Sequence, residues 1–296
     1  MLYVLLISFC ASKFISSYTQ VKYGKKSKDW FDLAIYSSIT SLMAMAFFYF
    51  TSGFSIKINA STVWCALFYA LGVLSIHYFG LMIYKHMRIL DSGFIKSGLG
   101  LIATLCVCAV VFKEEITFVS IIRMILSMAA VTTLSLVKNK DDRSNSKNTL
   151  RGYVLCGALV ISDIVITLTN KKMAISTELI DENSCFFIVN VFTFVFSIAL
   201  AFVLKKGRIK EFAVELKTFP LKKYGYILAS TFSSNLGSLL NVWILANGMP
   251  VILFTPLNTA IGVVVTVVIA RIIAKEKIPP IPVILSLASA LLSVVK

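Results

Sequence analysis

Residues 250–295 read PVILFTPLNTAIGVVVTVVIARIIAKEKIPPIPVILSLASALLSVV. The stretch contains an apolar run of about 24 residues, a short polar turn at residues 275–277 and a second apolar run that begins with prolines. About 20 apolar residues are enough for a helix to cross the hydrocarbon core of a bilayer. The pattern therefore predicts two membrane helices joined by a tight turn.

The same arrangement occurs earlier, at residues 92–136, where SGFIKSGLGLIATLCVCAVVF precedes a charged turn and a further apolar run. A shift of 162 positions relates three pairs of residues: Glu114 and Glu276, Gly100 and Gly262, Lys96 and Asn258. A shift of 150 positions relates residues 3–5, Tyr-Val-Leu, to residues 153–155, and Ser12-Lys13 to Ser162-Asp163. We therefore predict an internal repeat of roughly 150 residues.

The composition excludes a soluble globular domain, because 58% of the residues are hydrophobic. The 296 residues supply about ten membrane crossings with short loops. The net charge of +15 comes from basic residues between the apolar runs, which favours contact with anionic lipid headgroups over nucleic acid. The six cysteines lie in or beside apolar segments and are interpreted as packing residues.

The predicted architecture is an all-α integral membrane protein with ten transmembrane helices in two inverted five-helix repeats. The first repeat covers residues 1–137, a polar cytoplasmic linker covers 138–150, and the second repeat covers 151–296. The predicted spans are 1–18, 31–51, 63–84, 92–112, 118–136, 153–169, 186–204, 224–245, 251–274 and 281–295.

Lysine and arginine residues predict the orientation of these helices. The odd-numbered connections contain twenty of them and the even-numbered connections four. Because basic loops face the cytoplasm, both termini are expected on the outer side of a plasma (inner) membrane. Five helices per half then make the repeat an inverted one, which is the architecture of secondary transporters.

One basic connection, residues 205–217, has two interpretations. It is either a short amphipathic helix on the inner membrane surface or a solvated loop that its charge holds to the membrane.

The chain resembles the drug/metabolite transporter superfamily, in particular its EamA-like members. The resemblance rests on VVFKEEITFVSIIRMILSMAAV, VIARIIAKEKIPPIPVILSLASALLSVV and YFGLMIYKHMRILDSGFIKSGLG, and it spans nearly the whole chain. It implies transport by alternating access around a midplane cavity lined by helices one, three, four, six, eight and nine. The Trp-Gly-Ser common in such families is replaced by Ala11-Ser12-Lys13 and Ile161-Ser162-Asp163, which leaves the substrate open.

Lys13 and Asp163 are the first candidates for the site. Each lies about twelve residues into its helix, or roughly 18 Å from opposite faces of the membrane. Ionisable groups at that depth need a cavity or a partner. Three interpretations are open: a structural salt bridge between the two, a pair that binds the charged ends of a zwitterionic substrate, or a coupling role in which Asp163 carries a proton.

The position of the Lys96 side chain has two interpretations. Its side chain either extends to the cytoplasmic headgroups or lines a cavity opposite Asn258, which would favour an anionic substrate.

Further polar candidates lie on the third and eighth helices. Ser234, Ser238 and Asn241 share one helical face and serve either as interhelical contacts or as a wall of the site. His77 and Tyr78 are either satisfied core residues or substrate contacts.

The carboxylates Glu114, Glu115 and Glu276 are expected to cap helices or pair loops. No phosphate-binding glycine loop, metal-ligand cluster or nucleophile triad is visible in the sequence, so neither a cofactor nor an enzymatic activity is expected.

The predicted function is secondary active transport of a small polar metabolite, such as an amino acid or amine. Proton coupling through Asp163 is one of the three open interpretations of that residue. The alternatives are a translocase of a lipid-linked substrate and a membrane-embedded enzyme. The expected partners are the substrate and membrane lipids. A monomer can form a complete cavity, and an exposed small-residue face would support a dimer.

Overall fold

The computed structural model describes residues 2–27, 29–113, 115–141, 146–204, 214 and 221–292. Its helices, in chain order, are α1 (Leu2–Lys26), α2 (Trp30–Thr51), α3 (Ala60–His86), α4 (Ile89–Val111), α5 (Phe118–Asp141), α6 (Ser146–Ile175), α7 (Glu182–Leu204), α8 (Leu221–Ala246), α9 (Val251–Ile269, extended by a π-helical turn at Ala270–Ala274) and α10 (Pro280–Leu291). No residue of this described part lies in a strand. The prediction of an all-helical chain is confirmed, and each predicted span overlaps one of these helices.

Seven of the described helices are long and apolar enough to cross a membrane. These spans are Val4–Lys26, Trp30–Thr51, Ala60–His86, Ile89–Val111, Leu150–Ile175, Glu182–Leu204 and Leu257–Ala274. Shorter apolar stretches occur in α5 (Phe118–Thr133) and α10 (Pro280–Ser289). Seven such helices are typical of a multi-pass membrane protein. The number of ten crossings and their orientation stay predictions.

Aspartates begin α2 and α7. The Asp29 carboxylate accepts hydrogen bonds from the amides of Phe31 and Asp32, both 3.0 Å long. The Asp181 carboxylate accepts one from the Ser184 amide, 2.8 Å long. Each aspartate satisfies amides that a helix leaves free at its first turn. The two caps occupy positions close to the predicted 150-residue offset.

Lysines with left-handed backbone follow α4 and α9. Lys113 has a φ of 53° and Lys275 a φ of 52°. A residue in this conformation ends a helix, because the chain leaves the helical path there. The predicted shift of 162 positions relates these two lysines.

Two helices extend into the predicted linker. α5 continues to Asp141 and α6 begins at Ser146, both inside residues 138–150. A helix satisfies its own backbone hydrogen bonds and therefore continues into water beyond the apolar segment. The predicted segment 205–217, apart from Val214, and Glu114 lie outside the described residues.

Two compact units make up the chain, and neither is one of the sequence halves. The first unit contains Met1–Met82 and Thr169–Ala246, and the second contains Ile83–Leu168 and Asn247–Lys296. Each unit combines both halves because helices pack across them: α2 on α7 and α1 on α8 in the first unit, α4 on α9 and α5 on α10 in the second. The predicted division into two sequence repeats stays a prediction.

In the first unit, the amino-terminal half of α2 is enclosed on all sides. Residues 33–41 are all buried, and α2 packs on α7, α8 and the π-helical turn of α3. A helix whose whole circumference is covered must place its polar side chains inside the protein. The helices α1 and α8 of the same unit approach each other closely. A Cβ added to Gly237 on α8 would lie 3.0 Å from Ser12 Oγ on α1.

In the second unit, small residues bring α4 close to its neighbours. A Cβ on Gly93 would lie 2.3 Å from Thr266 Cγ2, and one on Gly98 would lie 2.4 Å from Val131 Cγ2. α5 and α10 are joined by a 3.1 Å hydrogen bond between the hydroxyls of Ser127 and Ser289. Small residues at such contacts permit the close van der Waals packing that holds membrane helices together.

Candidate substrate site

Lys96 and Asp163 form an ion pair between α4 and α6 in the second unit. The Lys96 Nζ lies 3.2 Å from Asp163 Oδ2. Both residues are candidates predicted from the sequence, but the sequence did not predict that they contact each other. The ammonium of Lys96 is therefore directed to a carboxylate, and the interpretation in which it extends to the headgroups does not describe this conformation.

The ion pair lies deep in the apolar part of the chain. Asp163 is at the middle of the apolar span Leu150–Ile175, roughly 18 Å from either end at 1.5 Å per residue. Lys96 is seven residues into α4, or roughly 10 Å, and its four-carbon stem extends the reach of the ammonium. The long side chain of Lys96 extends from near one end of α4. It thereby reaches the short side chain of Asp163 at the centre of α6.

About one third of each side chain is exposed: 34% for Lys96 and 32% for Asp163. Ionised groups in contact with hydrocarbon are costly, by about 2.5 to 3.5 kcal/mol each on insertion scales. The exposed parts therefore require water or a polar ligand. One ammonium donor and one carboxylate oxygen are used in the pair, which leaves further donors and acceptors on both groups.

The other charged candidate, Lys13, belongs to the first unit. It is half-buried in α1, and its ammonium lies 5.6 Å from the centroid of the Phe9 ring. Asn258, the predicted counterpart of Lys96, is half-buried in α9 of the second unit. The predicted pairing of Lys13 with Asp163 stays a prediction.

His77 and Tyr78 lie in a π-helical turn, Ile76–Gly80, that interrupts α3. Such turns insert an extra residue into a helix and occur often at functional sites. His77 is buried, and its Nδ1 lies 2.9 Å from the hydroxyl of Ser37 on α2. Tyr78 is also buried and stacks on Trp30 at 6.3 Å between ring centroids.

The hydrogen bond between Ser37 and His77 is part of a short chain of hydrogen-bonded side chains. Ser197 on α7 donates to the Ser37 hydroxyl over 2.7 Å. The Ser37 hydroxyl thus links Ser197 on α7 to His77 on α3, and the three side chains form one buried hydrogen-bonded chain.

Several buried polar atoms in the first unit have no hydrogen-bond partner within the described part of the chain. They include Ser38 Oγ, Thr40 Oγ1, Ser41 Oγ and Asn241 Oδ1. Ser238, next to Asn241 on the same face of α8, donates back to the Ser234 carbonyl over 3.1 Å. Buried polar groups are normally satisfied, so these atoms are available to bond water or a polar ligand.

No family model matches this chain, and no curated protein matches it. Its helical fold is similar to that of a solved structure described only as the crystal structure of a protein. The two chains share 17% sequence identity with a TM-score of 0.64, and the similarity covers 98% of each. At that identity the likeness concerns the fold alone, and it extends over nearly the whole of both chains.

Ser37 and Ser197 are not among the site residues predicted from the sequence. A signal for Ser37 exists in the sequence, because Ser37, Ser38, Thr40 and Ser41 place hydroxyls around the circumference of one apolar helix. Such a distribution indicates a helix that is buried on every side. Ser197 has no comparable signal, since a single serine in an apolar helix commonly bonds its own backbone.

Glu276 has a structural role that confirms part of the expectation for it. Its two carboxylate oxygens accept hydrogen bonds from the amides of Ile89 and Leu90, each 3.1 Å long. Glu276 thus caps the amino terminus of α4, a helix that begins 187 residues earlier in the chain. The negative charge also interacts favourably with the positive end of the helix dipole.

Within the described residues, no group of three or more histidine, cysteine, aspartate or glutamate side chains could hold a metal ion.

Proposed function

We propose that this chain is a secondary transporter of a small polar metabolite, working by alternating access, and that it belongs to the EamA-like branch of the drug/metabolite transporter superfamily. The observation that carries the proposal is the Lys96–Asp163 ion pair, in which Asp163 lies at the middle of an apolar helix long enough to span a membrane. Charged groups at that depth are functional by default, because their insertion cost has to be offset by water, a partner or a substrate.

The chemistry of the pair favours a substrate with charged or strongly polar groups. A carboxylate or phosphate on the substrate would bind the ammonium of Lys96, and an amine or hydroxyl would bind Asp163. The attraction between the two side chains would be partly replaced by contacts with the substrate, so an occupied site and an empty site would favour different separations of α4 and α6. Asp163 is also the carboxylate we assign to proton coupling.

The buried polar atoms of the first unit support the proposal. Ser41 Oγ and Asn241 Oδ1 are buried without a partner among the described residues. Each such group in an apolar environment costs free energy unless water reaches it. Water among the helices of a membrane protein is typical of a translocation path.

An inverted repeat, which alternating access commonly uses, is supported by local similarities. Lys113 and Lys275 share a left-handed backbone at the predicted shift. Ser127 and Ser289, also 162 positions apart, form a hydrogen bond with each other. Three of the five pairs of predicted counterparts pack on one another, namely α2 on α7, α4 on α9 and α5 on α10.

The experiment begins with a thermal-shift screen of the purified protein against amino acids, amines, sugar phosphates and nucleosides. A ligand at a hundredfold excess over its Kd stabilises the folded state by about 2.7 kcal/mol. Each hit is then tested for uptake into proteoliposomes, with and without a pH gradient. Stabilisation only by lipid-linked compounds would replace the proposal with the translocase alternative.

Substitutions of the two charged residues test whether transport requires the ion pair. Lys96→Gln and Asp163→Asn are expected to reduce uptake at least tenfold. Arg88→Gln is the matched control, because Arg88 directly precedes α4 and is also paired with a carboxylate, 3.0 Å from Asp91 in the first turn of the helix. Uptake that is unchanged in Asp163→Asn, or equally reduced in Arg88→Gln, would contradict the assigned site.

A further inference from the structure

One end of the α1–α8 helix pair carries a cluster of lysines and tyrosines, which we call the Lys22 cluster. It consists of Tyr18, Lys22 and Lys26 on α1 and Tyr226 on α8. The Lys22 ammonium lies 4.8 Å from the Tyr18 ring centroid and 6.0 Å from that of Tyr226. The Lys26 ammonium lies 5.2 Å from the Tyr226 centroid.

The sequence and the packing together produce this cluster. Tyr18, Lys22 and Lys26 are spaced by four residues and therefore share one face of α1. α1 packs along α8, which places Tyr226 against that face. A single aromatic ring thus holds two ammonium groups on the same side of the helix pair, within the distance at which cations are attracted to ring faces.

Within the described part of the chain, no carboxylate forms an ion pair with Lys22 or Lys26. The ion pairs Arg88–Asp91 and Lys96–Asp163 do not include a residue of the Lys22 cluster. Lys26 is exposed, and so is Gly225 beside Tyr226. A Cβ added to Gly225 would meet no atom within 4 Å, so the surface next to the cluster is open.

We propose that the Lys22 cluster binds the phosphate of an anionic lipid headgroup in the leaflet that this end of the helices faces. Two ammonium groups offer six N–H donors, and the tyrosine rings restrict the lysine side chains before a ligand binds. This restriction lowers the entropy lost on binding, which distinguishes the cluster from solvated lysines elsewhere on the surface. The position at the end of a membrane-spanning helix selects a lipid over a soluble anion.

The test uses the full-length protein in a neutral detergent and titrates short-chain phosphatidylglycerol, followed by native mass spectrometry and thermal unfolding. Phosphatidylcholine and inorganic phosphate are titrated in parallel. We expect saturable binding of phosphatidylglycerol, at least tenfold tighter than that of phosphatidylcholine. Inorganic phosphate bound as tightly as the lipid would overturn the proposal in favour of a free-anion site.

Charge-matched variants locate the site. Lys22→Gln/Lys26→Gln is expected to weaken phosphatidylglycerol binding at least tenfold. Lys275→Gln/Lys277→Gln removes the same charge from two exposed lysines elsewhere and is expected to change it less than twofold. Equal losses in the two double variants would show non-specific attraction and overturn the site.

A variant that retains both charges tests the aromatic contribution. Tyr226→Leu is expected to weaken binding about threefold to tenfold while the protein remains folded, as judged by its elution volume and melting curve. If the Lys22→Gln/Lys26→Gln protein fails to fold, this variant decides the question. Unchanged binding in folded Tyr226→Leu would overturn the proposed arrangement.

Discussion

Lys96 Nζ and Asp163 Oδ2 lie 3.2 Å apart, and they join α4 to α6. Each residue lies in an otherwise apolar segment, so each charge depends on the other for part of its stabilisation. Because a third of each side chain is exposed, water screens the interaction, and its strength lies between that of a surface pair and that of a fully buried one.

A double-mutant cycle measures this dependence. We expect Lys96→Met and Asp163→Asn each to lower the free energy of unfolding, and the double variant to lose less than their sum by about 1 kcal/mol. The reason is that a single substitution leaves one charge without its partner. Thermal or denaturant unfolding in detergent gives the values, and additive losses would show that the side chains do not interact.

Removal of the Glu276 carboxylate should destabilise α4. Glu276→Ala deletes two hydrogen bonds to the amides of Ile89 and Leu90, and caps of this kind contribute about 1 kcal/mol. The melting temperature is the readout. Glu115→Ala, which changes an exposed glutamate in the connection after α4, is the control and should have little effect. Equal shifts for the two variants would argue against the cap.

Alanine substitutions at two glycines of α4 should change the stability of the protein in opposite directions. Gly98→Ala would place a methyl group 2.4 Å from Val131 Cγ2 and is expected to cost about 1 to 3 kcal/mol. Gly100→Ala would meet no atom within 4 Å, and alanine favours a helix by about 1 kcal/mol over glycine. Melting temperatures of the two variants test the packing of α4 on α5. A stabilising Gly98→Ala would contradict it.

The hydroxyl chain that ends at His77 should contribute to stability through its central residue. Ser37→Ala breaks the bonds to both Ser197 and His77 and is expected to cost about 1 to 3 kcal/mol, because it leaves buried polar groups unsatisfied. Ser41→Ala, on the same helix, removes a buried hydroxyl that has no partner among the described residues. It should be neutral or stabilising, and a larger loss for Ser41→Ala than for Ser37→Ala would refute the network.

Cysteine labelling tests the predicted orientation. In a background without the six native cysteines, Ile58→Cys and Glu178→Cys lie in connections expected outside, whereas Lys277→Cys lies in one expected inside. A membrane-impermeant maleimide added to intact cells should label the first two within minutes. Lys277→Cys should react only after permeabilisation, and its labelling in intact cells would reverse the orientation.

The sequence by itself determined the helical class, the position of nearly every helix and the residues able to carry charge into the membrane. These properties follow from local composition, since apolar length fixes where a helix can cross and an isolated Lys or Asp is visible within it. The left-handed turns after α4 and α9 were also accessible, because the two charged turns between apolar runs mark where those helices end.

The tertiary structure alone decided which residues meet. Lys96 pairs with Asp163, Ser37 joins Ser197 to His77, and Glu276 caps a distant helix. Each contact joins residues at least 40 positions apart, and their apolar helices could pack in many orders at similar free energy. The same reason explains why each compact unit combines helices from both sequence halves. The choice depends on the close fit of small residues such as Gly93 and Gly98 against particular neighbours, which hydropathy does not encode.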